Sequence, residues 1–324
     1  MGKIIIYSFF ILQVLDIFFN VQNQDEFTEN FTLTSMALNV LLKRHMLSTR
    51  RTNILSLIKR LDKSHFLPVT KEEMKIRSKF ENIIECATKM YATGLAFFAF
   101  SVPFISIVID FKSRKLYARM WVPYNYSSAS LYLLTSSYEV VASIYGVSIS
   151  IACECLYTGL ILHVCCQFEI LEHRFKTLNG KDTRVVNQCA SHHNLIYKFA
   201  DVINNEFKTV MSFQFFNSTA MICLSIYQLT YAKNSTAFME IMMYLVCVFL
   251  QILFYCLCGN MVKMKVCYWI SNATIVSVMQ FLFAERSRTP IEFTSMHVVS
   301  LSLESFMSLL KTSYSAYNLM KTTR

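Results

Sequence analysis

The segment "LSLESFMSLLKTSYSAYNLM", residues 301–320, combines the length of a membrane span with many hydroxyl side chains. A helix of about 20 residues is about 30 Å long, which matches the hydrocarbon core of a bilayer. Yet Ser and Thr interrupt its apolar run at six positions, and Lys311 lies near its middle. The segment therefore either does not span a membrane or turns one face toward water.

Projected as a helix, the segment separates its hydroxyl groups from its large apolar groups. Most hydroxyls fall within about 100° of one another, and aromatic and leucine side chains cover the opposite side. Such a face predicts the lining of an aqueous pore by Ser308, Thr312, Ser315, Leu319 and Thr322. Leu319 is its one apolar member, which favours a hydrophobic constriction there. The alternative is that the hydroxyls only allow close helix packing or bond to their own backbone.

The composition of the whole chain indicates an integral membrane protein. Of 324 residues, 54% are hydrophobic and 14% aromatic, whereas only 16% are charged. A soluble domain of this size carries nearer 25% charged residues. The net charge of +10 is then interpreted through membrane topology, with the lipid bilayer as a partner, and not as a sign of nucleic-acid binding.

Hydropathy predicts an all-α membrane protein in which residues 1–324 form a single seven-helix domain. The second span is the weakest, because Lys43 and Arg44 end its apolar run. The first stretch could alternatively be a signal peptide, although Asp16 interrupts its apolar part and no small-residue cleavage site follows. The predicted spans are 4–21, 31–47, 87–109, 133–168, 209–232, 238–262 and 296–320.

The distribution of basic residues predicts a cytoplasmic N-terminus and an extracellular C-terminus. With this orientation 22 Lys and Arg side chains lie inside and 7 outside, as the positive-inside rule requires. Three glycosylation sequons, at Asn30, Asn125 and Asn234, then fall in external loops. No external loop holds a cysteine pair, so no disulfide framework is expected.

Three blocks of sequence resemble the insect odorant receptor family. The segment "VVSLSLESFMSLLKTSYSAYNLMK" (298–321) is similar to its C-terminal signature, a Ser-Leu-Glu-x-Phe segment followed by Lys-x-Ser-Tyr-Ser. The segment "CECLYTGLILHVCCQFEILEHRF" (153–175) resembles its fourth helix, in which an acidic residue, here Glu154, precedes a His-x-Cys-x-Gln-Phe run. The segment "YCLCGN" (255–260), followed by Tyr268 and Trp269, resembles the exit of its sixth helix.

The resemblance implies an odorant-gated, non-selective cation channel. Family members are expected to form tetramers with a shared odorant co-receptor, with a central pore lined by the seventh helices. The implied location is the plasma membrane of olfactory sensory dendrites. Two features depart from the family pattern: the chain begins almost at its first predicted span, and the segment between Gly259 and Tyr268 is shorter.

The resemblance also implies a ligand pocket in the outer half of the helix bundle, where apolar walls would hold a small volatile organic molecule by burial and shape. Aromatic side chains at helical spacing could instead be packing or interface groups. The residues predicted to line the pocket are Tyr138, Val141, Ala142, Tyr145, Ile149, Phe97, Phe100, Phe104, Tyr227 and Tyr244.

Other classes of protein fit the sequence less well. No phosphate loop, nucleophile elbow or paired-carboxylate motif is present, so we expect neither enzyme activity nor a cofactor. Cys189, His192 and His193 lack a second ligand pair at metal-site spacing, so no metal is expected. A G-protein-coupled chemoreceptor would need the opposite topology, and a transporter would need Gly/Pro-broken repeats. A gustatory-type receptor channel, which ends on a different motif, is the remaining alternative.

Overall fold

The protein is described by a computed structural model that covers residues 2–63, 65–177, 183–231, 235–271, 294–295, 299–300 and 302–322. Nearly all of this part of the chain is α-helical. Two short strands, β1 (Thr294–Ser295) and β2 (Val299–Ser300), pair antiparallel. The helices are α1 (Gly2–Phe19), α2 (Gln24–Thr49), α3 (Arg51–Leu61), α4 (Lys71–Asp110), α5 (Ala129–Lys176), α6 (Thr183–Tyr231), α7 (Ser235–Ser271) and α8 (Leu303–Thr322).

Each predicted span overlaps one of seven helices, all except the short α3. The last span, predicted at 296–320, starts too early, because α8 begins at Leu303 and residues 299–300 belong to β2; residues 296–298 and 301 lie outside the described residues. By length and composition, five of the described helices could cross a membrane: α1, α4, α5, α6 and α7. The helices α2 and α8, with 26 and 20 residues, are long enough to do so but more polar. The fold is thus that of an all-α membrane protein, and the crossing by α2 and α8 stays a prediction.

Four of the helices are longer than a bilayer requires. At 1.5 Å per residue, α5 with its 48 residues extends for about 72 Å. The start of α4 at Lys71 is fixed by a cap, because Thr70 Oγ1 accepts from the Glu73 N–H at 3.2 Å. The Glu73 carboxylate in turn accepts from the N–H of Val69, the residue before the cap, at 2.7 Å. From this capped start, α4 runs through 16 polar and mixed residues before it reaches the predicted span at 87.

Two hydrophobic clusters hold the bundle together. The larger one joins α5, α6 and α7 and includes Tyr157, Phe168, Phe207 and Tyr255, all fully buried. The smaller one lies at the end of the bundle formed by the α4–α5 connection, residues 111–128, and the start of α5. We call this end the 111–128 end. The other end, where α3 leads into α4 and where α5 ends and α6 begins, is called the opposite end.

The outer surface of α4 is strongly apolar. Phe97, Phe100 and Phe104 are each more than half exposed, and Val108 and Ile109 are exposed on the same helix. A soluble protein rarely leaves so continuous an apolar surface in contact with water. In a bilayer this surface is compatible with its solvent, because lipid tails are as apolar as the side chains.

Candidate functional site

A cavity of about 320 Å³ lies within the bundle toward the 111–128 end. It is bordered by α1, α2, α4, α5, α6 and α7 and by the 111–128 connection. Most of its wall is apolar, with polar groups at a few places, which is the usual character of a small-molecule site. Representative wall residues are Phe9, Ala37, Phe98, Ala142, Met221, Tyr244 and Val248.

The 111–128 connection covers one side of the cavity. Its residues Leu116, Ala118 and Met120 are buried against α1, α2 and the start of α5. The Trp121 N–H donates to the Leu12 carbonyl at 3.0 Å, and Tyr132 Oη donates to the Lys115 carbonyl at 3.0 Å. Backbone contacts at both ends therefore hold the connection on the bundle.

Charged groups fasten the same connection to α1 and α2. Arg119 lies 3.7 Å from Asp16 Oδ2 and 3.4 Å from Glu26 Oε2. Asp16 also accepts hydrogen bonds from Asn20 and Asn30, each at 2.6 Å. The Asp16 carboxylate, which interrupts the apolar run of α1 in the sequence, is thus a hub that joins three parts of the chain.

A buried polar network lies beside the cavity and reaches its wall, at a place called here the floor, through Gln251. Lys43 on α2 forms an ion pair with Glu154 on α5, and neither side chain is exposed. Gln251 on α7 and Tyr91 on α4 also donate to the Glu154 carboxylate. Four helices are therefore joined at one carboxylate, with its charge balanced by Lys43.

The floor continues through amides that border the cavity directly. Asn39 Nδ2 donates to Gln214 Oε1 at 2.6 Å, and Gln214 Nε2 donates to Ser218 Oγ and Gln251 Oε1, both at 2.9 Å. Ser35 bonds to Asn217 nearby. These amides connect the wall of the cavity to the Glu154 network by direct hydrogen bonds.

Of the ten residues predicted to line a ligand pocket, Ala142 and Tyr244 border the cavity. Tyr138 and Tyr145 lie beside the cavity. The Tyr138 hydroxyl shares a hydrogen bond of 2.6 Å with Ser8 Oγ, and the Tyr145 hydroxyl accepts one of 2.6 Å from Arg44. Tyr227 is buried and Ile149 half-buried, but the cavity wall does not include them.

The other four predicted pocket residues lie on the outside of the bundle. Val141 is 50% exposed, and Phe97, Phe100 and Phe104 are exposed by 65%, 56% and 67%. The reason is that helical spacing identifies a face without saying whether it packs on protein or on lipid. Their neighbours Phe98, Ala99 and Val102 border the cavity instead.

The sequence analysis missed the contribution of α1, α2 and the 111–128 connection. Ile6, Phe9 and Gln13 on α1 and Tyr117 on the connection border the cavity, as does Asn39 on α2. Gln13 and Asn39 could have indicated this contribution, because polar side chains inside predicted spans mark functional sites by default.

The predicted pore face of α8 is exposed where it is described. Ser308, Thr312 and Ser315 are on the surface. Leu309 is buried, and Ser313 Oγ donates to the Thr219 backbone carbonyl at 3.2 Å. Tyr314, assigned to the apolar side by projection, is 59% exposed. The side chains of Leu319 and Thr322 lie outside the described residues.

The three predicted glycosylation sites have different surroundings. Asn125 is exposed, and its side chain accepts from the Ser127 N–H at 3.0 Å. Asn30 is fully buried and bonded to Asp16 and Thr34, so the expected glycan at Asn30 is incompatible with this fold. Asn234 lies outside the described residues.

A second polar network ties α5 to α6 and to the start of α4 at the opposite end. Arg174 donates to both oxygens of Glu73, at 3.0 and 2.9 Å. His192 lies between Arg174 and Gln167, at 3.2 and 3.0 Å, and Gln167 donates to the Phe66 carbonyl at 3.2 Å. His192 is therefore part of a hydrogen-bonded junction between helices.

Burial and charge set the ionisation of this junction, which lies outside the predicted spans. Burial, reinforced by the positive charge of Arg174, lowers the pKa of His192 to about 3, and burial lowers the pKa of His193 to about 4. Burial alone would raise the pKa of Glu73, but hydrogen bonds from Arg174 and Val69 outweigh it and hold this pKa below its ordinary value. At neutral pH the junction contains neutral histidines and an ionised Glu73–Arg174 pair.

Comparison with known proteins decides the family. The sequence matches the family model described as the 7tm odorant receptor over residues 23–314. The chain belongs to the odorant receptor family. Its function is accordingly that of a membrane receptor in olfaction, which confirms the resemblance seen in the three sequence blocks.

Solved structures share the fold of this receptor. The insect olfactory receptor OR5 from Machilis hrabei in complex with eugenol matches with a TM-score of 0.87 at 16% identity. A second structure of the same OR5 matches with a TM-score of 0.84 at 14% identity. Both alignments cover 100% of this chain and 88% of OR5. No curated protein sequence matches the receptor.

Proposed function

We propose that this odorant receptor is a subunit of an odorant-gated, non-selective cation channel that works with a shared co-receptor. The observation that carries the proposal is the cavity of about 320 Å³, bordered by six helices and the 111–128 connection. Its size and its mainly apolar wall suit a small volatile molecule held by burial and shape. OR5, whose structure contains eugenol, has the same fold.

The orientation follows from charge. A cytoplasmic N-terminus leaves 22 basic residues inside and 7 outside, in agreement with the positive-inside rule. The 111–128 end then faces the outside and the His192 junction faces the cytoplasm. Odorants would reach the cavity from the extracellular side, in the plasma membrane of an olfactory dendrite.

The conduction path is proposed to run along α8. Ser308, Thr312 and Ser315 are exposed on the single subunit, and hydroxyl groups suit an aqueous lining. Four such helices around a central axis would turn these hydroxyls toward the pore, while Leu309 packs on its own subunit. Leu319, toward the extracellular end, would supply the hydrophobic constriction.

The coupling between ligand and pore is proposed to pass through α7. Gln251 on α7 belongs to the floor of the cavity and bonds to both Gln214 and Glu154. Two residues earlier on the same helix, Phe249 packs against Phe306 of α8, with ring centroids 6.4 Å apart. Ligands that change the packing of α7 would therefore act directly on the base of α8.

Recording of membrane current tests the proposal. The receptor is co-expressed with the co-receptor and exposed to a panel of small volatile alcohols, esters and phenols, with co-receptor alone as control. We expect an inward cation current for a subset of the panel that the co-receptor alone does not give. A panel response that is indistinguishable from that control would overturn the proposal.

A further inference from the structure

Gln13 presents an unsatisfied amide at the wall of the cavity. It lies on α1, one turn after Phe9, and has no exposed surface. Neither its Oε1 nor its Nε2 has a hydrogen-bond partner among the described residues. Buried amides are almost always satisfied, and leaving both halves of one unpaired is unfavourable.

A second unsatisfied atom borders the same cavity. Asn39 on α2 donates through Nδ2 to Gln214, which fixes the orientation of its amide. Its Oδ1 atom is left buried and without a partner among the described residues. The cavity wall therefore offers one free donor and two free acceptors, in surroundings that are otherwise mainly apolar.

We propose that the cavity selects ligands that carry one hydroxyl group, which the Gln13 amide binds. The inference rests on the proposed function, because it takes the cavity as the odorant site. A hydroxyl both donates and accepts, so it can donate to Gln13 Oε1 and accept from Gln13 Nε2. An ether or ketone satisfies the donor alone, and a hydrocarbon satisfies neither group.

The rest of the wall fits this class of ligand. Phe9, Ala142 and Tyr244 border the cavity with apolar surface that would cover a short alkyl chain or an aromatic ring. A site that is built to hydrogen-bond a hydroxyl rejects an analogue without it, because its own polar groups are then left buried and unpaired. The discrimination should therefore appear as weaker activation by ethers and alkanes of the same size.

The test compares three molecules of equal heavy-atom count: 1-octanol, its isomer heptyl methyl ether, and nonane. Currents are recorded from the intact receptor with its co-receptor, for the wild-type chain and for Gln13→Met, which keeps the length of the side chain without its amide. Gln228→Met is the matched control, since Gln228 also borders the cavity but is only half-buried. Surface biotinylation normalises the currents for expression.

We expect 1-octanol to activate the wild-type receptor at a concentration about tenfold lower than the ether requires. One or two neutral hydrogen bonds provide an affinity difference of this size. Gln13→Met should reduce this ratio to about one, while Gln228→Met should preserve it. If Gln13→Met does not reach the surface, Gln13→Asn, which withdraws the amide by one carbon, should reduce the ratio in its place.

Equal activation of the wild type by the alcohol and the ether would overturn the inference and leave the proposed function intact. A preference for the alcohol that persists in both Gln13 variants would also overturn it. Failure of every panel compound to evoke current, in contrast, would remove the proposed function and the inference with it.

Discussion

Lys43 on α2 and Glu154 on α5 form an ion pair in the middle of the bundle, and neither side chain has any exposed surface. Two further donors, from Gln251 and Tyr91, satisfy the same carboxylate. A buried charge is tolerated only when it is paired and hydrogen-bonded. The pair thus fixes the positions of four helices below the cavity.

Removal of Lys43 should destabilise the receptor strongly. In Lys43→Met the Glu154 carboxylate loses its counter-charge in a buried site, which costs about 3 to 5 kcal/mol. We expect a large loss of surface expression and of thermal stability in detergent, with partial recovery in the double variant Lys43→Met/Glu154→Gln. Lys75→Ala, which breaks the exposed Glu72–Lys75 pair, is the control and should have no measurable effect. Equal behaviour of Lys43→Met and Lys75→Ala would contradict the buried pair.

Acid should weaken the His192 junction. His192 and His193 have pKa values of about 3 and about 4 in the folded protein, against an ordinary value of 6.5, so the unfolded chain binds more protons below pH 6.5. The free energy of unfolding should therefore fall as pH decreases from 6.5, by at most about 1.4 kcal/mol per pH unit for each histidine. The measurement is thermal unfolding in detergent between pH 7 and pH 5, a range above the ordinary pKa of Glu73.

Substitution distinguishes the contribution of the buried histidines to this pH dependence from that of other titrating groups. His192→Gln should lower stability at pH 7, because it breaks contacts with Arg174 and Gln167, but it should also flatten the dependence on pH. His45→Gln, at an exposed position away from the junction, should leave the dependence unchanged. An unaltered slope in His192→Gln would show that other groups take up the protons.

The hydroxyl face of α8 is tested by cysteine substitution. Ser308→Cys and Thr312→Cys should react with a charged, water-soluble thiol reagent, and the modification should change the odorant-evoked current. Phe306→Cys, on the side packed against Phe249, should be protected. Cys86 and Cys267, the exposed native cysteines of the described part, are replaced by serine beforehand. Faster labelling at Phe306 than at the two hydroxyl positions would mean that the hydroxyls are packing groups.

The polarity of the constriction provides a separate prediction. Leu319→Ser would make the only apolar position of the predicted pore face wettable, so resting current or agonist sensitivity should rise. Leu310→Ser, on the side that packs against the core, should instead reduce assembly. Closed-state current that is identical in Leu319→Ser and the wild type would place the constriction elsewhere.

Topology is open to direct measurement. An epitope after Arg324 should bind antibody on intact cells, whereas one inserted near Asn187 should need permeabilised cells, because the positive-inside rule puts these sites on opposite sides. The reverse staining pattern would exclude the proposed orientation, and the channel with it.

The helices themselves could be predicted from the sequence. In lipid the backbone must satisfy its own hydrogen bonds, so an apolar run of sufficient length can hardly be anything but a helix. The ends of the helices were harder to predict. The helix α4 begins at Lys71, well before the predicted span at 87. This start was not predicted, because the cap at Thr70 lies in a charged segment that carries no hydropathy signal.

The direction in which each helix faces could not be predicted from periodicity. Phe97 and Phe98 are adjacent and equally apolar, but the first is exposed and the second borders the cavity. In water an apolar stripe must face protein, whereas in a bilayer lipid is an equally good neighbour. Polar residues are more informative there, since Gln13 and Asn39 both border the cavity.

The claim that odorants act from this cavity is tested most directly at two adjacent residues of α5. Ala142 is 1% exposed and borders the cavity, whereas Val141 is 50% exposed on the outer surface. Ala142→Trp should fill the cavity and abolish or reshape the odorant response at unchanged surface expression, while Val141→Trp should leave the dose–response curve unaltered. An unchanged response in Ala142→Trp, measured as odorant-evoked current in surface-matched cells, would contradict the account.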